Sequence, residues 1–144
     1  MKQLVIGMAI GIAATAIVGR MAAQSAKGGF IVQHDADIAK NEPGTHNGGG
    51  QTIGYSFFAK ATGLPFVFRK RALHPGSGIG LHTQTEDEVY YVLSGKGEMT
   101  LDGDRHDITP GTAILTRTGS SHSLKQVGPD DLVIIITYPT KPAR

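Results

Sequence analysis

From residue 52 onward, short runs of apolar and β-branched residues alternate with turn-forming residues. The runs read IGYSFFA, LPFVFRKRAL, DEVYYVL, GEMTL, RHDI, TAILT, SHSLKQV and LVIIITY. Turn signals separate them, among them HPGSG, the dipeptide Asp102-Gly103, TPG and GPDD. No run sustains a 3.6-residue apolar period over three helical turns. About nine short strands joined by frequent turns predict an all-β sandwich or barrel.

The first 25 residues follow a different pattern. Lys2 precedes an almost wholly apolar run over residues 4–19, and small residues follow through Ser25. This order is typical of a secretory signal peptide, because the run is shorter than the roughly 20 residues that span a bilayer comfortably. The alternative is a retained membrane anchor, since Arg20 and Met21 interrupt the cleavage region. We therefore expect an exported protein, periplasmic or secreted, or else one anchored in the inner membrane by residues 4–19.

Between this segment and the strands lies a polar stretch. Its sequence NEPGTHNGGGQ is rich in turn formers and has no apolar period. The run FIV at 30–32 is a candidate short strand that would pack on a neighbouring subunit. The predicted organisation is a signal peptide or anchor over 1–25, a flexible connector or N-terminal arm over 26–51, a β domain over 52–140 and a tail over 141–144.

Composition narrows the function classes. The chain has 20 Gly, 7 Pro and only 6% aromatic residues, which suits short strands and tight turns. It has no cysteine, so disulfides, thiolate metal sites and cysteine nucleophiles are excluded. The net charge is only +2 and there is no long basic run, so we expect no nucleic-acid partner.

Candidate metal ligands cluster in the stretch GIGLHTQTEDEVYYVLSG. His82 and Gln84 are two residues apart, so on a strand they point to the same face. Glu88 keeps that parity and can converge on the same point if the intervening residues are extended. A second histidine, His122, lies in a later strand that hairpins could bring beside the first pair. A carboxylate and two imidazoles inside a barrel predict a metal site, because an unpaired buried carboxylate is costly.

The spacing of these residues resembles the two motifs of the cupin superfamily. The first motif has glycine, His-x-His, glutamate and glycine, and it matches Gly76, His82, Glu88 and Gly95, with Gln84 where the second histidine is usual. The second motif matches Gly111, Gly119 and His122, with Arg117 at its proline position and Gln126 at its asparagine position. The resemblance covers roughly residues 52–138. The four glycines are turn residues and indicate fold.

The resemblance implies a double-stranded β-helix, or jelly-roll barrel, with a divalent metal near its centre. The family's metal positions correspond to His82, Gln84, Glu88 and His122. The amide oxygen of Gln84 is a weaker and harder ligand than imidazole, which favours Fe(II), Mn or Zn over Cu or Ni. Alternatively, Gln84 only lines the pocket and leaves a set of two histidines and one carboxylate, which suits Fe(II).

Other polar residues have less specific patterns. Tyr90 shares the face of Glu88, and these two are the candidate catalytic residues. In FVFRKRAL one of the two faces must look inward, which would bring a cation such as Arg69, Lys70 or Arg71 towards the barrel mouth; a solvated cationic edge is the alternative. The remaining polar candidates are expected on the surface or at a solvated edge, namely His34, His46, His74, His106, Glu86 and Asp87.

Two function classes follow. The first is a metal-dependent oxygenase, decarboxylase or isomerase acting on a small polar or anionic molecule. The second is a non-catalytic module of the cell envelope that binds a sugar or small acid, because a fold does not fix function. The apolar final strand and the N-terminal arm also predict a homodimer, and a membrane contact is expected only if the first segment is retained.

Overall fold

The computed structural model describes residues 28–140. The predicted signal or anchor segment and the tail 141–144 therefore lie outside the described residues. The elements belong to a compact unit that begins at Ile31. In chain order they are α1 (Asp35–Ile38), β1 (Ala39–Pro43), a 3₁₀ turn (Thr45–Asn47), β2 (Gln51–Phe57), β3 (Phe66–Leu73), β4 (Gly78–Thr83), β5 (Glu88–Ser94), β6 (Lys96–Leu101), β7 (Asp104–Ile108), β8 (Ala113–Thr116), β9 (Ser121–Val127) and β10 (Leu132–Pro139).

The strands form two antiparallel sheets. The six-stranded sheet has the order β1-β2-β3-β10-β5-β8, and the four-stranded sheet has the order β4-β9-β6-β7. The described chain is thus nearly all β, as the alternating runs and turns predict, and the arrangement is consistent with a jelly roll. Among residues 28–140, no helix has the length and apolar character that crossing a bilayer requires.

The core lies between the inner faces of the two sheets. β10 supplies Leu132, Ile134 and Ile136 from alternate positions, all of them buried. Leu73 of β3 and Leu124 of β9 are fully buried against them. Side chains alternate across a strand, and β5 and β10 accordingly give one row of residues to this core and turn the other row outward.

The turn predictions are confirmed where positive φ is needed. The β6–β7 hairpin turns at Asp102 (φ 49°) and Gly103 (φ 98°), the left-handed pair that suits a two-residue hairpin. Gly76, Gly95, Gly111 and Gly119, the glycines of the motif resemblance, all have positive φ. Glycine populates this region without steric cost, so these four positions specify the chain reversals.

The stretch interpreted as a connector contains ordered structure. β1 occupies residues 39–43 and pairs antiparallel with β2, from Ala39 opposite Tyr55 to Pro43 opposite Gln51. Its sequence AKNEP lacks apolar alternation because β1 is an edge strand whose residues are mostly exposed. The strand suggested at 30–32 is wrong, since those residues are irregular and lie N-terminal to α1.

Candidate functional site

Three of the four predicted ligand residues converge. β4 pairs with β9 so that His82 lies opposite His122, and Glu88 begins β5 in the facing sheet. One potential ligand atom from each of these three residues lies within 4.8 Å of the others. The two imidazole centroids are 4.2 Å apart, and His122 Nε2 lies 3.7 Å from Glu88 Oε2. The three residues therefore lie close together, and their role as metal ligands stays a prediction.

A backbone contact orients the His82 ring. Its Nδ1 lies 2.9 Å from the carbonyl oxygen of Gly80. If Nδ1 carries the proton and donates it to this carbonyl, Nε2 keeps a free lone pair. Ligating histidines are commonly held in this way, with the second nitrogen bonded to a backbone or carboxylate oxygen.

Gln84 also lies at the site, and its side chain contacts the carboxylate of Glu88. The Gln84 backbone is held between Ser120 and Gly119. Its side-chain Nε2 donates a hydrogen bond of 2.7 Å to Glu88 Oε2. This contact orients the carboxylate and favours the alternative in which Gln84 supports a set of two histidines and one carboxylate.

Tyr90 lies two residues after Glu88 on the same face of β5 and reaches the same cluster. It is buried, with its hydroxyl 2.9 Å from His122 Nε2, and it also forms a hydrogen bond with Glu88. Burial and the adjacent Glu88 carboxylate raise the pKa of Tyr90 well above its usual range. The residue is therefore a neutral phenol that can donate or accept a hydrogen bond, as its parity with Glu88 suggested.

The charge balance of the cluster fits a cation. Burial raises the pKa of Glu88, and burial together with His82 lowers the pKa of His122 to about 4. At neutral pH His122 is thus uncharged, and its Nδ1 is buried without a hydrogen-bond partner among the described residues. A buried carboxylate, neutral imidazoles and an unsatisfied ring nitrogen form a donor set suited to a divalent metal ion.

His46 also reaches the site, which strand parity did not indicate. It lies in the 3₁₀ turn with φ 52°, and its ring stacks on that of His82 with centroids 3.6 Å apart and planes 5° apart. Its side chain is exposed, as expected, but it borders the site. Of the other histidines expected on the surface, His34 and His106 are exposed, and His74 is half-buried with Nδ1 2.9 Å from Asp131 Oδ1.

A cavity of about 460 Å³, here called the site cavity, opens beside the cluster. Its lining includes His46, His82, Gln84, Glu88 and Tyr90, together with Arg69 and Arg71 of β3. β3 therefore turns its Arg69/Arg71 face inward, which decides between the two faces of FVFRKRAL. Lys70 faces away, lying over the Tyr55 ring and pairing with Asp35.

The two arginines are held differently. Arg71 is 2% exposed; its guanidinium donates to Thr52 Oγ1 at 2.7 Å and to Glu42 Oε2 at 2.9 Å. Arg69 lies 3.6 Å from the same Glu42 oxygen and keeps 26% of its side chain exposed. The longer contact leaves Arg69 freer than Arg71 to meet an anion in the site cavity.

The two acidic residues before Glu88 lie in different environments. Asp87 lies outside the site cavity, accepts a hydrogen bond from the Thr118 backbone at 2.9 Å and pairs with Arg117. Glu86 is half-buried and lines the site cavity, and its carboxylate accepts a hydrogen bond from the Thr85 hydroxyl.

Comparison with known proteins gives one family and several relatives. Residues 70–138 match the family model described as a cupin domain. An oxalate-binding protein of Thermotoga maritima is 39% identical over 67 residues, which cover 46% of this chain and 55% of that protein. The match thus spans about half the length of this relative.

Solved structures share the fold. A Thermotoga maritima structure described as a predicted oxalate decarboxylase superposes with a TM-score of 0.71 at 27% identity, covering 77% of this chain and all of that one. The polyketide cyclase RemF of Streptomyces resistomycificus gives 0.65 at 21% identity, covering 79% and 82% of the two chains, and this likeness concerns the fold alone.

Proposed function

This chain is a small cupin-domain protein, and we propose that the domain holds a divalent metal ion and binds a small carboxylate beside it. His82, Glu88 and His122 are the proposed ligands, with Gln84 positioning the carboxylate of Glu88. Fe, Mn and Zn are the candidate ions, because two imidazoles and one carboxylate suit these metals.

One observation carries the proposal: two members of the ligand cluster, His82 and Glu88, line the same site cavity as two arginines. A bound divalent ion would supply positive charge that polarises a carboxylate or carbonyl oxygen. Arg69 and Arg71 line the same cavity, and guanidinium groups match carboxylates in shape and charge. The relative named as an oxalate-binding protein supports an acid of this kind as the ligand.

The decisive experiment combines metal analysis with binding. We expect close to one Fe, Mn or Zn per chain, and oxalate binding, measured by calorimetry, that disappears when the metal is removed by a chelator. Arg69→Gln should weaken oxalate binding while leaving the metal content unchanged; Lys70→Gln, at the neighbouring position facing away, is the matched control. Metal-independent oxalate binding, or none by the loaded protein, would contradict the proposal.

The second candidate is catalysis on the same ligand, as an oxygenase, decarboxylase or isomerase. Glu86 favours it, because a carboxyl group outside the ligand set lines the site cavity and could exchange a proton with a bound acid. Release of carbon dioxide from oxalate, or consumption of oxygen, would establish turnover, and Glu86→Gln should then slow it without loss of metal. Binding without either reaction favours the non-catalytic role.

The cellular setting is also a proposal. We propose export to the periplasm or beyond, because the sequence of residues 1–25 has the pattern of a signal peptide. The retained inner-membrane anchor is the alternative. Comparing the mass of the protein recovered from its native cells with that of the full chain separates the two.

A further inference from the structure

A second cavity, of about 300 Å³, lies where β2 ends and β3 begins. We call it the phenylalanine-lined cavity. Most of the residues that line it are apolar, among them Phe57, Phe58, Leu64, Phe66 and Val67, although polar atoms contribute nearly half of its surface. An engineered cavity of about 150 Å³ with apolar walls is large enough to bind benzene. The phenylalanine-lined cavity therefore has room for an aromatic ring or a short alkyl chain.

The two cavities are neighbours, because Arg69 and Tyr138 line both of them. Val67, Arg69 and Arg71 follow one another along the inward face of β3, and Tyr138 of β10 lies opposite Val67. The distance along β3 from Arg71 to Val67 is roughly 13 Å, at about 3.3 Å for each residue of a strand. A molecule of ordinary metabolite length could thus reach from one cavity into the other.

The surface that runs along β3 from one cavity to the other changes from charged to apolar over this distance. Arg71, at the site-cavity end, already donates to Thr52 and Glu42. Arg69, at the junction, has the longer contact with Glu42. Beyond it the lining becomes phenylalanine and aliphatic. This sequence of surfaces matches a molecule with an anionic head and an apolar tail.

We propose that the phenylalanine-lined cavity binds the tail of the ligand, and that the ligand is a carboxylic acid bearing an aryl or short branched alkyl group. The inference rests on the proposed function, since the acid head would lie in the site cavity. Arg69 would meet the carboxylate at the junction, and the tail would pack among Phe58, Leu64 and Val67. Burying apolar surface then adds affinity that oxalate cannot gain.

The test is a series of 2-oxo acids, measured by calorimetry on the metal-loaded full chain. The probes are pyruvate, 2-oxobutyrate, 4-methyl-2-oxopentanoate and phenylpyruvate, with oxalate as the reference acid that has no tail. We expect affinity to rise about threefold to fourfold for each buried methylene, which is the transfer free energy of that group expressed as a ratio. Phenylpyruvate should bind at least tenfold more tightly than pyruvate.

Two variants locate the effect. Ala61 lines the phenylalanine-lined cavity from a turn, so Ala61→Trp should fill it, remove the gain with tail size and leave pyruvate binding unchanged. Thr62→Trp places the same bulk at the adjacent exposed position, which is outside the lining, and should preserve the gain. A gain with tail size that survives Ala61→Trp would overturn the inference.

The outcomes distinguish this inference from the function on which it rests. If oxalate and pyruvate bind in a metal-dependent way and longer acids bind no tighter, the tail site is wrong and the proposed function stands. If none of the acids binds the loaded protein, both fail together.

Discussion

The buried carboxylate of Glu88 destabilises the fold, and the same carboxylate supplies the negative charge that the proposed metal ion needs. It is 7% exposed, and burial raises its pKa, so at neutral pH the carboxylate opposes folding unless a cation accompanies it. The neighbouring donors, Gln84 and Tyr90, offset part of this cost through hydrogen bonds.

We expect Glu88→Gln to separate these two effects. The amide keeps the shape and removes the charge, so metal affinity should fall at least 100-fold while the melting temperature of the metal-free protein stays equal or rises. Metal content after dialysis and thermal unfolding in chelator measure the two quantities. A Glu88→Gln protein that retains a full complement of metal would show that the ion is held elsewhere.

His122 should make the stability of the metal-free protein depend on pH. Its pKa is about 4 in the fold and near 6.5 in an unfolded chain, so the unfolded chain binds the proton more strongly between these values. Stability should therefore decrease as the pH falls from 6.5 to 4, by up to about 3 kcal/mol at about 1.4 kcal/mol for each pKa unit.

The raised pKa of Glu88 acts in the opposite direction over part of this range, so the His122 contribution must be measured as a difference. Denaturant unfolding of the wild type and of His122→Asn across the range isolates it. Identical pH profiles would mean that the imidazole is not buried in its neutral form.

Gln84 offers a graded test of the ligand set. Gln84→Ala removes the hydrogen bond to Glu88, and loss of such a supporting contact typically weakens metal binding about 10–100-fold. Gln84→His restores the residue usual in the motif and should tighten metal binding by adding an imidazole. Competition with a chromogenic chelator measures both, and an affinity unchanged in Gln84→His would count against any ligand role at this position.

Residues on strands were predictable, and residues placed by close backbone contact were not. Strand parity related Tyr90 to Glu88 on β5 because an alternating backbone fixes the direction of each side chain, whereas the approach of His82 to Glu88 depends on the packing of two sheets. His46 was missed as a site residue because its position depends on a left-handed turn and on a strand 36 residues away. Its one signal was local: it lies among the turn formers of NEPGTHNGGGQ.

At the level of secondary-structure elements, the contact between the 3₁₀ turn and β4 determines where His46 lies. Three glycines allow the two backbones to touch: a Cβ at Gly80 would lie 1.8 Å from the carbonyl oxygen of His46, and Cβ atoms at Gly44 and Gly48 would lie 2.5 Å and 2.2 Å from that of Gly78. Neither backbone can yield easily, so only glycine fits. The stack on His82 is a consequence of this close approach.

Gly80→Ala should push the turn away from β4. We expect a loss of about 1–3 kcal/mol of stability, as for overpacked sites, together with weaker metal binding as His46 leaves His82. His46→Asn is the comparison, because asparagine tolerates the left-handed conformation and removes only the stack; it should weaken metal binding with little change in stability. Thermal unfolding and metal titration separate the two, and wild-type values for Gly80→Ala would refute the contact.

At the same scale, most strands were predictable from apolar alternation and the edge strand was not. β10 alternates buried and half-buried apolar residues, a pattern that packing against a facing sheet requires. β1 is held by its ladder to β2 and by Glu42, whose carboxylate meets Arg71. Such pairing follows from tertiary contacts that no local pattern records.

For the whole molecule, an exposed apolar surface supports the predicted homodimer. Val89, Tyr91 and Leu93 project from the outer face of β5, and Leu115 of the edge strand β8 lies opposite Val89; their exposures range from 38% to 53%. Contiguous apolar surface of this kind commonly marks an interaction site. The dimer itself stays a prediction.

We expect Leu115→Lys combined with Leu93→Glu to convert a dimer into a folded monomer. Leu81→Lys is the control, because Leu81 is 68% exposed on the other sheet. Light scattering gives the mass and circular dichroism checks the fold. A wild-type monomer at high concentration would refute the dimer.

The position of Glu42 limits how far this protein can be truncated from its N-terminal side. The signature by which the fold is recognised begins at residue 70, yet the counter-ion of Arg71 and the imidazole stacked on His82 both lie upstream of it. A recombinant fragment trimmed to the recognisable signature would leave the Arg71 guanidinium in the interior without its counter-ion, and the proposed metal site without the imidazole that stacks on His82. The working unit of this protein is therefore longer than its signature, and its N-terminal border belongs before β1.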